Sequence, residues 1–142
     1  MKSTHVRAAD TEERWLLYDA SEHTLGRMAA RIAMQLQGKD RPTWTPSENT
    51  GAHVVVVNSK QAVVTGKKAD TKTYPHFTRY PGGYKDVSMH DVLDRRPNDV
   101  VKLAVRRMLP KTRLGRDMLR KLRVYEAGEH PHQAQNPVKV EA

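Results

Sequence analysis

The residues with the clearest chemical signal are eleven lysines and arginines that lie between Arg95 and Tyr125. Only two acids, Asp99 and Asp117, lie among them, so this segment carries a net charge of +9. That equals the formal charge of the whole 142-residue chain, and the remaining basic and acidic residues balance. A concentrated positive segment on an otherwise neutral chain favours an anionic partner. Arginine predominates in it, and the planar guanidinium group suits phosphate.

Two predicted helices position these charges. Pro97 can open the first helix, which we expect to reach Leu109 and to end at Pro110. The second is predicted over residues 113–122, where apolar residues recur on one arc at about 100° per residue. Basic residues occupy the opposite arc, so one face suits a core and the other an anion. The residues expected to neutralise phosphates are Arg106, Arg107, Lys111, Arg113, Arg116, Arg120, Lys121 and Arg123.

A second basic stretch, residues 67–85, mixes lysine and arginine with tyrosine and phenylalanine and is interrupted by prolines and a glycine pair. We expect an extended or hairpin-like excursion there. Cations beside aromatic rings suit folded RNA, with its phosphates and unstacked bases. The same rings could equally form a small core for the excursion itself, and both interpretations stay open. Secondary RNA contacts are predicted at Arg27, Lys39, Arg41, Lys67, Lys68, Arg79 and Lys85.

The rest of the chain predicts an α/β domain. Trp15 begins a short apolar run of strand length, and a helical pattern follows from a possible N-cap at Thr24 to a stop at Gly38. Four consecutive valines, residues 54–57, indicate a strand buried on both faces, as in a parallel sheet. A second short strand is predicted at residues 62–65. Helix after strand, and then a buried strand, is typical of an α/β layer fold.

The length fits one domain over residues 1–142. Residues 1–13 are polar and unpatterned, which predicts a loose arm, and residues 126–142 are interpreted as an irregular C-terminal extension. Ser88 and Asp91 resemble a capping box, so a helix should begin there and stop before Pro97.

Several classes of function find no support in the residues. The chain has no cysteine, which excludes disulfides and thiolate metal sites. His130 and His132 flank a proline without a matching carboxylate cluster, so we reject a metal site. No apolar signal region or membrane span is visible, and we expect a soluble, cytoplasmic protein. No nucleophile–base pair or phosphate-cradling loop stands out, so neither an enzyme nor a cofactor is expected.

Two rival hypotheses remain beside RNA binding. A DNA-binding module is one, although no helix-turn-helix, zinc or zipper pattern is recognisable. A small α/β enzyme that acts on nucleotides is the other, and such an enzyme should bind a mononucleotide measurably.

Ordered motifs along nearly the whole chain resemble the bacterial large-subunit ribosomal protein L13 family. The most specific lie between Ala104 and Tyr125, where Met108-Leu109-Pro110, Leu114-Gly115-Arg116 and Lys121-Leu122-Arg123-Val124-Tyr125 match in order and spacing. Others are Asp19-Ala20, Thr24-Leu25-Gly26-Arg27-Met28-Ala29, Asn49-Thr50-Gly51, Val64-Thr65-Gly66-Lys67-Lys68, Gly82-Gly83, Arg95-Arg96-Pro97 and Glu129-His130-Pro131-His132. The family often has glycine where this chain has Thr112, and a threonine there can cap a helix.

The resemblance implies a three-layer α/β/α domain with a small, mainly parallel sheet and a basic C-terminal helical segment. It also implies binding to large-subunit ribosomal RNA, neighbouring ribosomal proteins as partners, and an early role in subunit assembly. It implies no catalysis, no small-molecule substrate and no membrane association.

Overall fold

A computed structural model describes residues 5–140 of the chain. The elements in chain order are β1 (Trp15–Asp19), α1 (Leu25–Gln37), β2 (His53–Val57), α2 (Lys68–Thr71), β3 (Thr73–Phe77), β4 (Tyr84–Ser88), α3 (Met89–Arg95), α4 (Pro97–Met108), α5 (Arg113–Arg120), β5 (Leu122–Val124) and β6 (Val138–Lys139). No helix among the described residues is long and apolar enough to cross a membrane.

Four strands form a parallel sheet in the order β5-β2-β1-β6. In its register Leu16 lies beside Val54, and Val56 lies beside Val124. The four valines of β2 are all buried, as predicted for a central strand whose two faces are covered. The predicted α/β class with a small, mainly parallel sheet is confirmed.

Helix α1 shows why the sequence signals at its ends were informative. The apolar residues that recur at helical spacing enter the core, including the fully buried Met28 and Ile32, whereas Met34 lies off this stripe and is exposed. It ends at Gly38, which adopts a left-handed conformation with φ of 77° that glycine accommodates without strain. Its N-cap residue is Thr24, as predicted, although the threonine side chain makes no capping hydrogen bond.

One face of the sheet joins the helices in a single apolar cluster. The strands contribute alternate residues such as Tyr18 and Val54, while α1 and α4 contribute residues such as Ile32 and Val101. Tyr18 is fully buried, and its hydroxyl group donates a hydrogen bond to the Gln35 side chain at 2.7 Å. This cluster holds α4 at a fixed position against the sheet.

Aromatic rings gather on the opposite face of the sheet. Trp15 stacks on His53 with ring centroids 4.5 Å apart, and His132 lies 5.2 Å from the same indole. The hydroxyl of Tyr125 and Nε2 of His132 share a hydrogen bond of 2.8 Å. The C-terminal extension therefore packs on the sheet through its histidine.

Three sequence predictions need correction. The strand expected at residues 62–65 is a single parallel bridge between Val63 and Thr24. The helix predicted over residues 113–122 ends at Arg120, because β5 begins at Leu122 and pairs with β2. The extension described as irregular contains β6, which forms an edge of the sheet beside β1. Strands β5 and β6 form because they pair with β2 and β1, and each is too short to be recognised from its sequence pattern.

The excursion at residues 67–85 is largely a β-hairpin, as expected. Strands β3 and β4 pair in antiparallel register, and Phe77 lies opposite Tyr84. Helix α3 follows at once, with the Ser88 hydroxyl accepting a hydrogen bond from the Asp91 amide at 3.1 Å, as the capping pattern predicted. Pro97 then opens α4.

The N-terminal arm follows the loop of residues 38–52. The Ala8 amide donates to the Glu48 carboxylate at 3.4 Å, and the Arg41 guanidinium donates to the carbonyl of Glu12 at 3.0 Å. The first four residues of the arm and the last two of the C-terminal extension lie outside the described residues.

Candidate nucleic-acid interface

The turn between α4 and α5 places the basic segment on the body of the protein. The Thr112 hydroxyl caps α5 by accepting a hydrogen bond from the Gly115 amide at 3.2 Å. A Cβ atom on Gly115 would lie 1.9 Å from the carbonyl oxygen of Pro110, so only glycine permits this approach. The two helices therefore meet at a close backbone contact.

Helix α5 has two faces, as its periodicity predicted. Met118 is buried in the core, while Leu114 and Leu119 pack partly against it. Arg113, Arg116 and Arg120 are exposed on the other side. Arg120 also forms an exposed ion pair with Asp117, at 3.1 Å, a kind of contact that contributes little to stability. The exposed arginines are thus held by a helix whose other face is anchored.

A groove of about 480 Å³ runs along α5, and we call it the α5 groove. Its lining residues are Leu103, Arg106, Arg107, Leu109, Pro110, Lys111, Thr112, Gly115, Arg116 and Leu119. Four of these are cations predicted to meet phosphate, and none is acidic.

A second groove, of about 520 Å³, begins at the N-terminus of α1, and we call it the α1 groove. Its lining residues are Thr24, Leu25, Gly26, Arg27, Val63, Val64, Thr65, Lys68, Lys72, Met89, Ala104, Arg107 and Met108. It too has four cations and no acid. Arg107 lines both grooves, so they adjoin and form one positively charged surface. This surface brings together residues that are far apart in sequence, from Arg27 to Arg116.

Lys72 is a groove residue that the predicted set lacked. Its ammonium group lies 5.5 Å from the centre of the Tyr74 ring, and the Arg107 guanidinium lies at the same distance. Tyr74 itself is 8% exposed, and burial raises the pKa of its hydroxyl group while Arg107 opposes that rise. These cation–π contacts connect the base of the hairpin to α4. The mixture of lysine and aromatic residues was the only sequence signal for this position.

Seven predicted residues lie outside the two grooves but remain exposed, and Arg113 and Arg120 on α5 are two of them. Lys67, Arg79 and Lys85 lie on or beside α2 and the hairpin, Arg123 lies on β5, and Lys39 follows α1. Lys39 stands over the ring of Trp44 at 5.5 Å. It lies at the far end of α1, which is 13 residues or about 20 Å long, away from Arg27.

Two predicted residues, Lys121 and Arg41, donate hydrogen bonds to backbone carbonyls of distant segments. The Lys121 ammonium group donates to the carbonyl oxygens of Asn49 and Gly51, at 3.2 and 2.9 Å. Burial lowers the pKa of this amine, and Arg41 lowers it further while Glu13 opposes the change. Arg41 itself donates to a backbone carbonyl of the arm. Sequence periodicity did not reveal these contacts because the acceptors belong to distant loops.

The histidines of the C-terminal extension contact protein groups. The His132 ring meets the hydroxyl of Tyr125, and its amide donates to Nδ1 of His130 at 3.2 Å. Within residues 5–140, no group of three or more histidine or carboxylate side chains is placed to hold a metal ion.

The fold and the surface together define a class: a basic α/β protein whose exposed arginines are presented by helices on a parallel sheet. The model of the family described as Ribosomal protein L13 matches residues 13–131, and the chain belongs to this family. Proteins of this family are structural constituents of the ribosome and not enzymes.

Bacterial relatives match over nearly the full length. The chain is 47% identical over 140 residues to the large ribosomal subunit protein uL13 of Thermotoga maritima, covering 99% of this chain and 94% of the relative. It is 45% identical to the protein of the same name from Aquifex aeolicus, and 44% identical to that from Legionella pneumophila strain Paris. Each of these two comparisons covers 99% of this chain and 98% of the relative.

Proposed function

We propose that this protein is a structural constituent of the large ribosomal subunit, where it binds large-subunit ribosomal RNA. The names of the relatives support the assignment to that subunit and hence to the cytoplasm. The observation that carries RNA binding is the surface formed by two adjoining acid-free grooves that share Arg107. Neighbouring ribosomal proteins are its other proposed partners.

The charge of this surface suits a folded nucleic acid. Neutralising phosphates releases counterions, so affinity should fall steeply as salt concentration rises. The arginines on α5 keep their position without any partner, because the opposite helix face is already in the core. The backbone that carries these arginines therefore needs no ordering on binding, and only their side chains lose freedom. That property also supports the proposed early role in assembly, since the protein needs no other protein to present its RNA-binding face.

The proposed contacts fall into two groups. The primary group consists of Arg106, Arg107, Lys111, Arg113, Arg116, Arg120 and Arg123. Arg27 and Lys68, which the sequence predicts as secondary contacts, join this group because they line the α1 groove. The secondary group consists of Lys39, Lys67, Arg79 and Lys85. The sequence also predicts RNA contacts for Lys121 and Arg41, and their internal hydrogen bonds favour a further role in holding the loops.

Replacement of Arg113, Arg116 and Arg120 together by Gln tests the proposal. We expect affinity for deproteinised large-subunit ribosomal RNA to fall at least about tenfold in a filter-binding assay, because three phosphate contacts are lost. The thermal midpoint should stay within a few degrees, because these side chains are exposed. Equal affinity, or a collapsed melting transition, would contradict the proposal.

A matched control removes the same amount of charge elsewhere. Arg7, Lys60 and Lys102 are exposed and lie neither in the two grooves nor on α5, so their joint replacement by Gln should reduce affinity far less. Competition with duplex DNA provides a second check. Displacement of the ribosomal RNA by equal amounts of DNA would instead favour a general nucleic-acid-binding module.

A further inference from the structure

The α1 groove combines charge with a surface suited to a flat apolar group. Its volume of about 520 Å³ lies within the range of small-ligand sites, ~300–1,000 Å³. Val63, Val64, Ala104 and Met108 contribute apolar side chains beside the cations. Methionine and valine surfaces accept a nucleobase face through dispersion and polarisable contacts. The groove is therefore large enough, and chemically suited, to hold one nucleotide.

Gly26 in this groove has no structural reason to be glycine. It lies in the first turn of α1, its φ angle is not positive, and a Cβ atom there would meet nothing within 4 Å. Glycine also weakens a helix relative to alanine. Since the chain itself leaves room for a side chain, the missing Cβ favours the close approach of a group from outside.

Two donors are available at the same point. The Leu25 amide donates to the carbonyl of Val63 at 2.9 Å, whereas the Gly26 and Arg27 amides have no acceptor within residues 5–140. The Thr24 side chain makes no capping hydrogen bond, and no acidic residue lies in the first turn. The helix dipole favours an anion at such an end.

We propose that the α1 groove binds one unstacked nucleotide of the bound RNA. Its phosphate would accept hydrogen bonds from the amides of Gly26 and Arg27 and would be neutralised by the side chains of Arg27 and Lys68. Its base would lie against the apolar wall near Met108. The four cations and the lack of acids favour RNA over a peptide as the occupant. This inference rests on the proposed ribosomal RNA binding and names what one groove of that surface recognises.

Two substitutions at Gly26 test the inference. Gly26→Ala adds one methyl group at the approach point, and Gly26→Leu fills part of the groove without changing charge. We expect Gly26→Leu to lower affinity for deproteinised large-subunit ribosomal RNA about tenfold, because hydrogen bonds to a charged group are lost. Gly26→Ala should have a smaller effect in the same direction. Both variants should melt at or above the wild-type temperature, because alanine and leucine favour helix.

Ala30→Leu is the matched control, since Ala30 is exposed one turn further along α1 and lines neither groove. It should bind RNA like the wild type. If Gly26→Leu also binds like the wild type, the nucleotide site is overturned while RNA binding by the surface stands. If the wild-type protein itself fails to bind the RNA, the proposed function fails first and this inference fails with it.

Ultraviolet cross-linking followed by mass spectrometry gives a readout that a structural role for Gly26 would not change. We expect a nucleotide cross-linked to peptides that contain Met89 or Met108 in the wild-type complex, and its loss in Gly26→Leu. Cross-links confined to the arginines of α5 would overturn the inference. So would a cross-link from Met108 to another protein in reassembled large subunits.

Discussion

The α4–α5 segment and the β3–β4 hairpin are both basic, yet they present their charges in different ways. On α5 the arginines lie opposite Met118, which is buried in the main core. In the hairpin only Tyr74 is buried, while Phe77, Tyr80 and Tyr84 are 59%, 75% and 60% exposed. Tyr74 belongs to the main apolar cluster, so the aromatic rings do not form a small core of the hairpin's own. The comparison shows that anchoring to the core, and not charge alone, distinguishes a rigid binding face from an adaptable one.

The α4–α5 segment should lose more stability than the hairpin when a single methyl group is added at a close backbone contact. Gly115→Ala would force a methyl group against the Pro110 carbonyl and separate α4 from α5. We expect a loss of about 3 kcal/mol in the free energy of unfolding, the upper part of the range for overpacking. Urea denaturation measures it, and Gly26→Ala is the control because its Cβ would meet nothing. An unchanged unfolding midpoint in Gly115→Ala would show that the turn adapts.

The single buried aromatic of the hairpin should carry most of its stability. Tyr74→Ala removes the ring that both Lys72 and Arg107 contact, and we expect a loss of about 2 kcal/mol in the free energy of unfolding. That is below the ~3–5 kcal/mol seen for enclosed aromatic side chains, because this ring lies at the edge of the core. Chemical denaturation measures the change. Tyr74→Phe should cost nothing, since the hydroxyl is buried without a partner among the described residues.

The exposed aromatics should affect binding and leave stability alone. Replacing Phe77, Tyr80 and Tyr84 by Ala should change the free energy of unfolding by less than about 0.5 kcal/mol per residue. Affinity for ribosomal RNA should fall, because base–aromatic stacking contributes ~1–3 kcal/mol per base where it occurs. Parallel melting and filter-binding assays separate the two effects. A large loss of stability would instead make these rings part of a core.

The smallest expected effect is on the way stability depends on pH below 6.5. Burial lowers the pKa of His53 below its ordinary value of 6.5, and the nearby charges of Lys121 and Arg123 lower it further while Glu13 opposes them. The unfolded chain therefore takes up this proton first, and stability should fall as the pH decreases from 6.5 towards the folded-state pKa. His53→Gln should reduce that slope in denaturation measured across the range. His76→Gln, at an exposed position of the hairpin, should leave it unchanged.

Much of the fold could be predicted where local signals agreed. Gly38, Ser88 and Pro97 marked the helix boundaries at which they were expected, because capping and breaking depend on neighbouring residues. Strands β5 and β6 were missed for the opposite reason. They have three and two residues, and they are strands only because β2 and β1 lie beside them.

The candidate site was also predictable only where local sequence patterns determine it. The exposed side of α5 follows from its period, so Arg113, Arg116 and Arg120 lie where expected. The role of Arg107 as the residue common to both grooves depends on how α4 packs against α1. Lys121 stays a predicted RNA contact, and the sequence does not show that two carbonyl oxygens also accept hydrogen bonds from its amine.

The strand order of the sheet has a consequence for how the chain matures during synthesis. Both outer strands come from the last part of the sequence, β5 beside β2 and β6 beside β1. Until residues 122–139 have left the ribosome that makes them, the inner pair exposes two unpaired edges, which are prone to association. The arginines of α5 precede that closure in the chain. Once residue 139 is in place, the edges of the sheet are β5 and β6, which have only three and two residues, and edge strands this short are poor templates for another chain.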